Sequence, residues 1–264
     1  MTKSRVWDMP IRIKSAEQIA RMRGAGRITA LALQAMREAI APGVTTADLD
    51  AIAADIIARH GAEPTFLNYT PGHAPPYPAV ITACINEELV HGIPSKERAL
   101  REGDIISLDC GATYKGFVGD AAFTAGVSEV SELASRVMAV AEEALNRAIS
   151  TARAGNHLGD ISNAIQTYVE SCGFSVVREY GGHGVGRQMH EAPHAILNWG
   201  RPGRGPILRP GMTIALEPMV IVGDPEVYTL ADQWTVVTRD GSLCAHFEHT
   251  IVIGEDGSEI LTKL

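Results

Sequence analysis

Apolar residues recur at helical spacing in four stretches of the chain, with strand-like runs between them. The first stretch runs through Ile19, Met22, Ile28, Leu31 and Met36. Ser15-Ala16-Glu17-Gln18 precedes it as a capping box, the Ser15 side chain accepting from the Gln18 amide while Gln18 reaches back. Pro42-Gly43 ends it. Leu49, Ile52, Ala53, Ile56 and Ile57 mark a second helix, capped by Thr45 or Thr46 and closed at Gly61. Two more are expected, from about Ser131 to Ala152 and from Leu158 to Cys172. A strand is expected over Ala79–Cys84. A hairpin follows: Ile105–Asp109, a turn near Lys115-Gly116, and a return from Phe117. Later strands fall at Val176-Val177, Met212–Glu217, Met219–Val222, Thr235–Thr238 and Phe247–Gly254. Residues 68–78 and 198–211 are rich in Pro and Gly and read as loops.

The two halves of this pattern match each other. Gly43, Asp48, Leu49, Ile57 and Gly61 align with Gly155, Asp160, Ile161, Val169 and Gly173, and Arg101–Asp109 aligns with Arg209–Glu217. Asp120 and Gly126 align with Glu248 and Gly254. Two such units packed about a pseudo-two-fold axis bring Asp109, Asp120, Glu217 and Glu248 together. In the first hairpin a turn centred between residues 114 and 115 sets Asp109 opposite Asp120. A turn one residue later leaves them diagonal on one face.

Four carboxylates at one point cannot all ionise without a counter-charge. Their apolar neighbours, Leu108 and Cys110, Leu216 and Pro218, argue against acids that merely end strands in solvent. A histidine is available at Tyr180-Gly181-Gly182-His183-Gly184-Val185-Gly186-Arg187-Gln188-Met189-His190-Glu191-Ala192-Pro193, where His183 stands on bare glycine backbone. The plainer reading of that stretch is a Gly-rich loop with a core histidine. Four carboxylates and one imidazole form a hard donor set suited to Mn, Fe(II), Co or Zn. A pair of divalent ions about 3.5–4 Å apart can polarise a carbonyl and supply a hydroxide, which points to amide or ester hydrolysis.

Composition narrows the setting. The chain has 264 residues, 45% hydrophobic and 20% charged, enough for a proper core. A net charge of −8 argues against general nucleic-acid binding. Lys96, Arg98 and Arg101 read as a solvated turn rather than an RNA-facing patch. No apolar run reaches the roughly 18 residues of a membrane span, and residues 1–10 lack the apolar core of a secretory signal. Cys84, Cys110, Cys172 and Cys244 have neither zinc-ribbon nor redox spacing and suit a reducing cytoplasm.

These residues also carry a family resemblance. His91-Gly92-Ile93-Pro94, Leu108-Asp109-Cys110-Gly111, Gly119-Asp120, Gly182–Arg187, His190-Glu191-Ala192-Pro193, Gly211-Met212-Thr213, Glu217-Pro218-Met219, Trp234-Thr235 and Phe247-Glu248-His249-Thr250 occur in family order. Together they resemble the short bacterial type I methionine aminopeptidases. The resemblance implies an α+β pita-bread fold: two pseudo-symmetric halves around a curved antiparallel sheet, with residues 1–14 as an arm and 15–264 as one catalytic domain. It implies two divalent metal ions (Co, Mn, Fe(II) or Zn) held by Asp109, Asp120, His183, Glu217 and Glu248, with Asp120 and Glu248 bridging. The metal-activated hydroxide attacks the first peptide bond, Glu217 serves as general base, His190 meets the carbonyl oxygen, and His91 lies near the scissile amide. Tyr77, Met189 and Trp234 form the methionine pocket, and Thr82 stands where some members carry Cys. The expected biology is removal of initiator methionine before a small second residue, by a cytoplasmic monomer acting on nascent polypeptides beside the ribosome, with no membrane or specific nucleic-acid partner.

Other readings compete with it. His190-Glu191-Ala192-Pro193-His194 fits the H-E-x-x-H zinc pattern, but that motif needs a helix, which Pro193 opposes. A prolidase or Xaa-Pro aminopeptidase shares fold and metals; such relatives usually have an additional N-terminal domain, for which the residues before Ser15 are too few. A non-catalytic pita-bread binding module would have lost metal ligands, and all five are present. The short span from His190 to Glu217 argues against the type II enzymes. Ala215 stands where some relatives have a hydroxyl.

Overall fold

The structure, a computed structural model, describes residues 10–72 and 74–264. Residues 1–9 of the expected arm, and His73, lie outside the described residues. The first helix, α1, spans Ala16–Ala39 and begins at the expected capping box, with Gln18 N–H to Ser15 Oγ 3.3 Å and Ser15 N–H to Gln18 Oε1 3.0 Å. Helix α2 (Thr46–Arg59) starts at a second box, Thr45 with Asp48. Strands β1 (Glu63–Pro64), β2 (Ile81–Ile85), β3 (Glu88–Val90), β4 (Ile105–Tyr114) and β5 (Phe117–Gly126) follow. Next come α3 (Glu132–Thr151), α4 (Leu158–Ser171), β6 (Ser175–Val176), β7 (Gly181–Gly184), β8 (Glu191–Leu197) and β9 (Thr213–Leu216). The chain closes with β10 (Met219–Ile221), β11 (Val227–Thr229), β12 (Val236–Thr238), β13 (Cys244–His246), β14 (Glu248–Ile253) and β15 (Ser258–Ile260).

The main sheet runs β1-β4-β5-β14-β9-β7-β8, with β2 also on β4 and β15 on β14. Every pairing in it is antiparallel. Its core side carries the apolar faces of the four helices, with Met36, Leu49, Ile57, Leu108, Val137, Ile161 and Ile214 fully buried in one cluster. The hairpin β4–β5 pairs Tyr114 with Phe117, so Lys115 and Gly116 form a two-residue turn, both at positive φ (50° and 73°). This is the later of the two turns considered: Asp109 pairs with Ala122 and Asp120 with Gly111, which sets the two acids diagonally on one face.

The Gly-rich stretch is no loop. Residues 181–184 form β7, an inner strand between β9 and β8. A Cβ on Gly182 would overlap the Ala215 carbonyl oxygen and one on Gly184 the Ala192 carbonyl oxygen, so glycine admits the close strand packing. The apolar pattern gives no sign of this, because glycines carry no alternation to read. Residues 190–194 pass from a turn into β8, which removes the helix that an H-E-x-x-H zinc site requires. Arg98 is also not part of a solvated turn. Its guanidinium pairs with Glu88 and donates to the Ile93 carbonyl at 2.9 Å.

The internal repeat is visible in the hydrogen bonds. Gly43 N–H bonds Leu100 O, as Gly155 N–H bonds Leu208 O. Gly103 N–H bonds Val127 O, as Gly211 N–H bonds Ile253 O. That last pair makes Val127 equivalent to Ile253, and it corrects the alignment of Asp120 with Glu248 by two residues. The structural counterpart of Asp120 is His246, and that of Glu248 is Ala122. The sequence match failed there because Asp120 and Glu248 are both acids, so chemical likeness aligned positions that the ladders β4–β5 and β9–β14 place two residues apart.

Candidate metal centre

Asp109 lies on β4, Asp120 on the neighbouring β5, Glu248 at the start of β14, and Glu217 just past β9. Since β5, β14 and β9 are consecutive in the sheet, the seam between the halves gathers these four acids. His183 comes from β7, where it pairs with Ala215 on β9. Its Nε2 lies 3.7 Å from Asp120 Oδ2 and 3.6 Å from Glu217 Oε1. One atom each from Asp120, His183 and Glu248 falls within 4.8 Å of the other two.

The donors are poised for a cation rather than for each other. His183 Nδ1 donates to the Gly184 carbonyl at 3.0 Å, so its Nε2 presents a lone pair toward the carboxylates. Asp109 Oδ1, Asp120 Oδ1 and Glu248 Oε1 are buried without a hydrogen-bond partner. Burial raises Asp120 to about 7. Burial and the Asp120 charge raise Glu217 to about 8. Burial, then Asp120 and Glu217, pushes Asp109 well above the carboxylate range; burial, then Asp120, Asp109 and Glu217, does the same to Glu248. Burial holds His183 down to about 4, neutral and able to ligate. Buried acids with orphaned oxygens beside a lone pair are costly alone and are satisfied by divalent cations. The residues present fit the metal that the donor set implies.

Beside the acids opens a cavity of about 510 Å³. His190 faces into it, its ring 4.2 Å from that of His183, and its Nδ1 lies 2.7 Å from the Tyr69 hydroxyl. With the phenol O–H donating, Nε2 carries the His190 proton. Enclosure by the cavity walls, then His183, His91 and His194, lowers its pKa to about 3. His91, at φ 62°, is lowered by burial to about 4 and packs edge-on against Tyr180 and Trp234. Tyr77, Trp234 and Met189 share an apolar cluster with Phe66. Tyr77 is the most firmly held of them: its hydroxyl reaches the Ile81 and Gly92 carbonyls at 3.0 and 2.9 Å, and its ring meets Trp234 edge-on. Thr82 also lines the cavity, paired with Asp109 across β2 and β4.

All ten residues singled out in the sequence therefore line this one cavity or its floor. Others were missed. Phe66, Tyr69 and Tyr180 line it too, and nothing in their sequence spacing marks them. His246 lies beneath it, 2% exposed, with Nε2 unpartnered and 3.7 Å from Glu217 Oε2. Its position two residues before Glu248 was the available signal.

Residues 20–255 match the model of metallopeptidase family M24, and the chain belongs to that family. A methionine aminopeptidase from Clostridium acetobutylicum is 51% identical over 250 residues, covering 95% of this chain and 98% of that protein. The crystal structure of a methionine aminopeptidase from Thermotoga maritima superposes with a TM-score of 0.93 at 47% identity, covering 97% of this chain and all of that one. A prolidase from Pyrococcus furiosus matches all of this chain and 68% of its own, with a TM-score of 0.78 at 24% identity; that likeness concerns the pita-bread fold alone.

Proposed function

We propose that this protein removes the N-terminal methionine from polypeptides whose second residue is small, with residues 15–264 acting as one catalytic domain. The observation that carries the reading is the placement of an acid-and-histidine cluster at the floor of a small, mostly apolar cavity. Asp109, Asp120, His183, Glu217 and Glu248 would hold two divalent ions. Those ions would polarise the scissile carbonyl and furnish the nucleophile near neutral pH. Glu217, ionised beside the ions, accepts the nucleophile's proton. His190 donates from Nε2 toward the carbonyl oxygen as negative charge develops there. Tyr69 keeps that proton on Nε2. His91, neutral and at the cavity wall, passes a proton toward the departing amine.

In this reading the methionine side chain occupies the apolar end of the cavity. Tyr77, Trp234 and Phe66, with Met189 packed against them, form one apolar cluster there, and a thioether gains from soft, aromatic neighbours. No described helix is long and apolar enough to cross a membrane. The family resemblance supports a cytoplasmic monomer meeting nascent chains as they leave the ribosome. With Arg98 committed internally, ribosome contact would have to come from elsewhere on the surface.

The test is peptide hydrolysis with added Mn, Co, Fe(II) or Zn. Release of methionine from Met-Gly-Met and Met-Ala-Ser, with no cleavage of Xaa-Pro dipeptides, is expected. The opposite pattern would make the protein an Xaa-Pro peptidase, and inactivity at full metal occupancy would make it a binding module. Metal analysis of protein purified without added metal decides identity and stoichiometry.

A further inference from the structure

Behind the cavity lies a buried ion pair that the proposed reaction does not use. Lys14 Nζ is 2.7 Å from Glu191 Oε2, and each side chain is 5% exposed. Lys14 ends the segment before α1, and its own N–H donates to Gly211 O at 2.8 Å, just ahead of β9. Glu191 follows His190 directly. Its other oxygen accepts the backbone N–H of Arg187 at 2.8 Å and of Gln188 at 3.3 Å. The carboxylate thus closes the turn 187–191 from inside, and Met189 and His190 project from that turn into the cavity.

The packing leaves this turn little freedom. A Cβ on Gly186 would sit 2.7 Å from both Glu191 Oε1 and Lys14 Cε. Gly186 N–H bonds Gln188 O at 3.0 Å, and its carbonyl accepts from Val118 N–H at 2.8 Å. Burial pushes the Glu191 carboxyl up, but the bond and charge of Lys14 and the two amides outweigh it and hold it below its ordinary value. A buried pair like this contributes little net stability, since apolar replacements of similar volume are often neutral. What it supplies is direction: one carboxylate fixed by a cation at one end and two amides at the other.

We propose that Lys14 and Glu191 are positioning residues, an ion pair that locks the 187–191 turn so that His190 points at the substrate carbonyl and Met189 at the methionine pocket. This rests on the reading of His190 as a substrate contact. Lys14 thereby connects the segment before α1 to the chemistry at the far side of the sheet.

The test uses the full chain, metal-loaded, with Lys14→Met/Glu191→Leu, Lys14→Arg and His190→Ala. The double variant removes the clamp without leaving a lone buried charge. It is expected to melt somewhat below the parent, because the Arg187 and Gln188 amides lose their acceptor, yet to stay folded at the assay temperature, while kcat falls about tenfold or more, the usual effect of losing a group that orients a functional one. Exchange of the Arg187 and Gln188 amide hydrogens should accelerate, and Lys14→Arg should retain most of kcat. In a His190→Ala background the double change should lower kcat less than twofold further. An unchanged kcat in the double variant, or the same loss with and without His190, overturns the positioning role. If His190→Ala alone keeps the parent kcat, the reading of His190 falls instead, and the proposal falls with it.

Discussion

The two halves share a frame but not a donor set. Both begin with a capped helix pair, and both carry an acid at the equivalent place along an inner strand, Asp109 within β4 and Glu217 just past the end of β9. At the next equivalent place the first half has Asp120 and the second has His246; at the third the first half has Ala122 and the second Glu248. Symmetry thus supplies the backbone, and departures from it supply the chemistry. Had both halves kept identical side chains, the seam would hold only pairs of like groups. The substitutions let a buried imidazole approach Glu217, while His183 from β7 adds a nitrogen that has no partner in the first half.

The largest effects should come from the acids that symmetry does not duplicate. Asp120→Asn and Glu248→Gln should each lower methionine release by about 10³-fold or more, because each removes charge from the proposed divalent-metal site. Steady-state assays across a metal titration check this. His190→Ala should cost about 10²–10³-fold in kcat with a small change in KM, as expected for a donor used mainly in the transition state. His246→Ala should weaken metal binding by about 10- to 100-fold if the imidazole 3.7 Å from Glu217 Oε2 closes onto that carboxylate when metal binds, measured by calorimetry. Equal metal affinity in that variant would leave His246 as a relic of the repeat.

The metal-free chain should show the strain of the seam as pH dependence. Asp120 and Glu217 have folded pKa values raised to about 7 and about 8. A raised value means their contribution to stability is complete below the ordinary carboxylate range and is lost as pH rises through about 7 to 8. Below about pH 6.5 the buried neutral histidines His91, His183, His190 and His246, lowered to about 3–4, act in the opposite direction. Melting of the apo protein should therefore fall between about pH 6.5 and pH 9, and saturating metal should flatten the curve by binding the ionised form. The smallest effects should be matched ones. Gly43 and Gly155 are repeat equivalents, both at φ +90°, and a methyl group at either would meet nothing within 4 Å. Alanine at either should cost about 1–2 kcal/mol from the backbone alone, and the two values should agree on thermal melting if the repeat is as regular there as its hydrogen bonds.

Much of this architecture could be read from the residues. The helix starts at Ser15, Thr45 and Ser131 follow from short-range capping chemistry, and each cap is formed. The hairpin face shared by Asp109 and Asp120 follows from strand parity. What stayed hidden depends on contacts between distant segments. The strand nature of residues 181–184 comes from the fit of glycine backbone against β9 and β8. Tyr69 reaches His190 across 121 positions, and Lys14 reaches Glu191 across 177. The error at Asp120 and Glu248 has a different cause: both are acids, so a chemical match concealed a two-residue shift in the ladder.

The β5–β14 seam has one further consequence. An isologous interface between two copies of a single half would place its binding groups on the joining axis, and this chain places them there. The molecule is a dimer written into one polypeptide, with residues 127–131 as the tether. Because the tether fixes which half is which, the halves became free to differ, and a cleft with distinct ends could replace one that looked the same from both sides. The direction in which such a cleft reads a substrate is a property of the fusion rather than of either half.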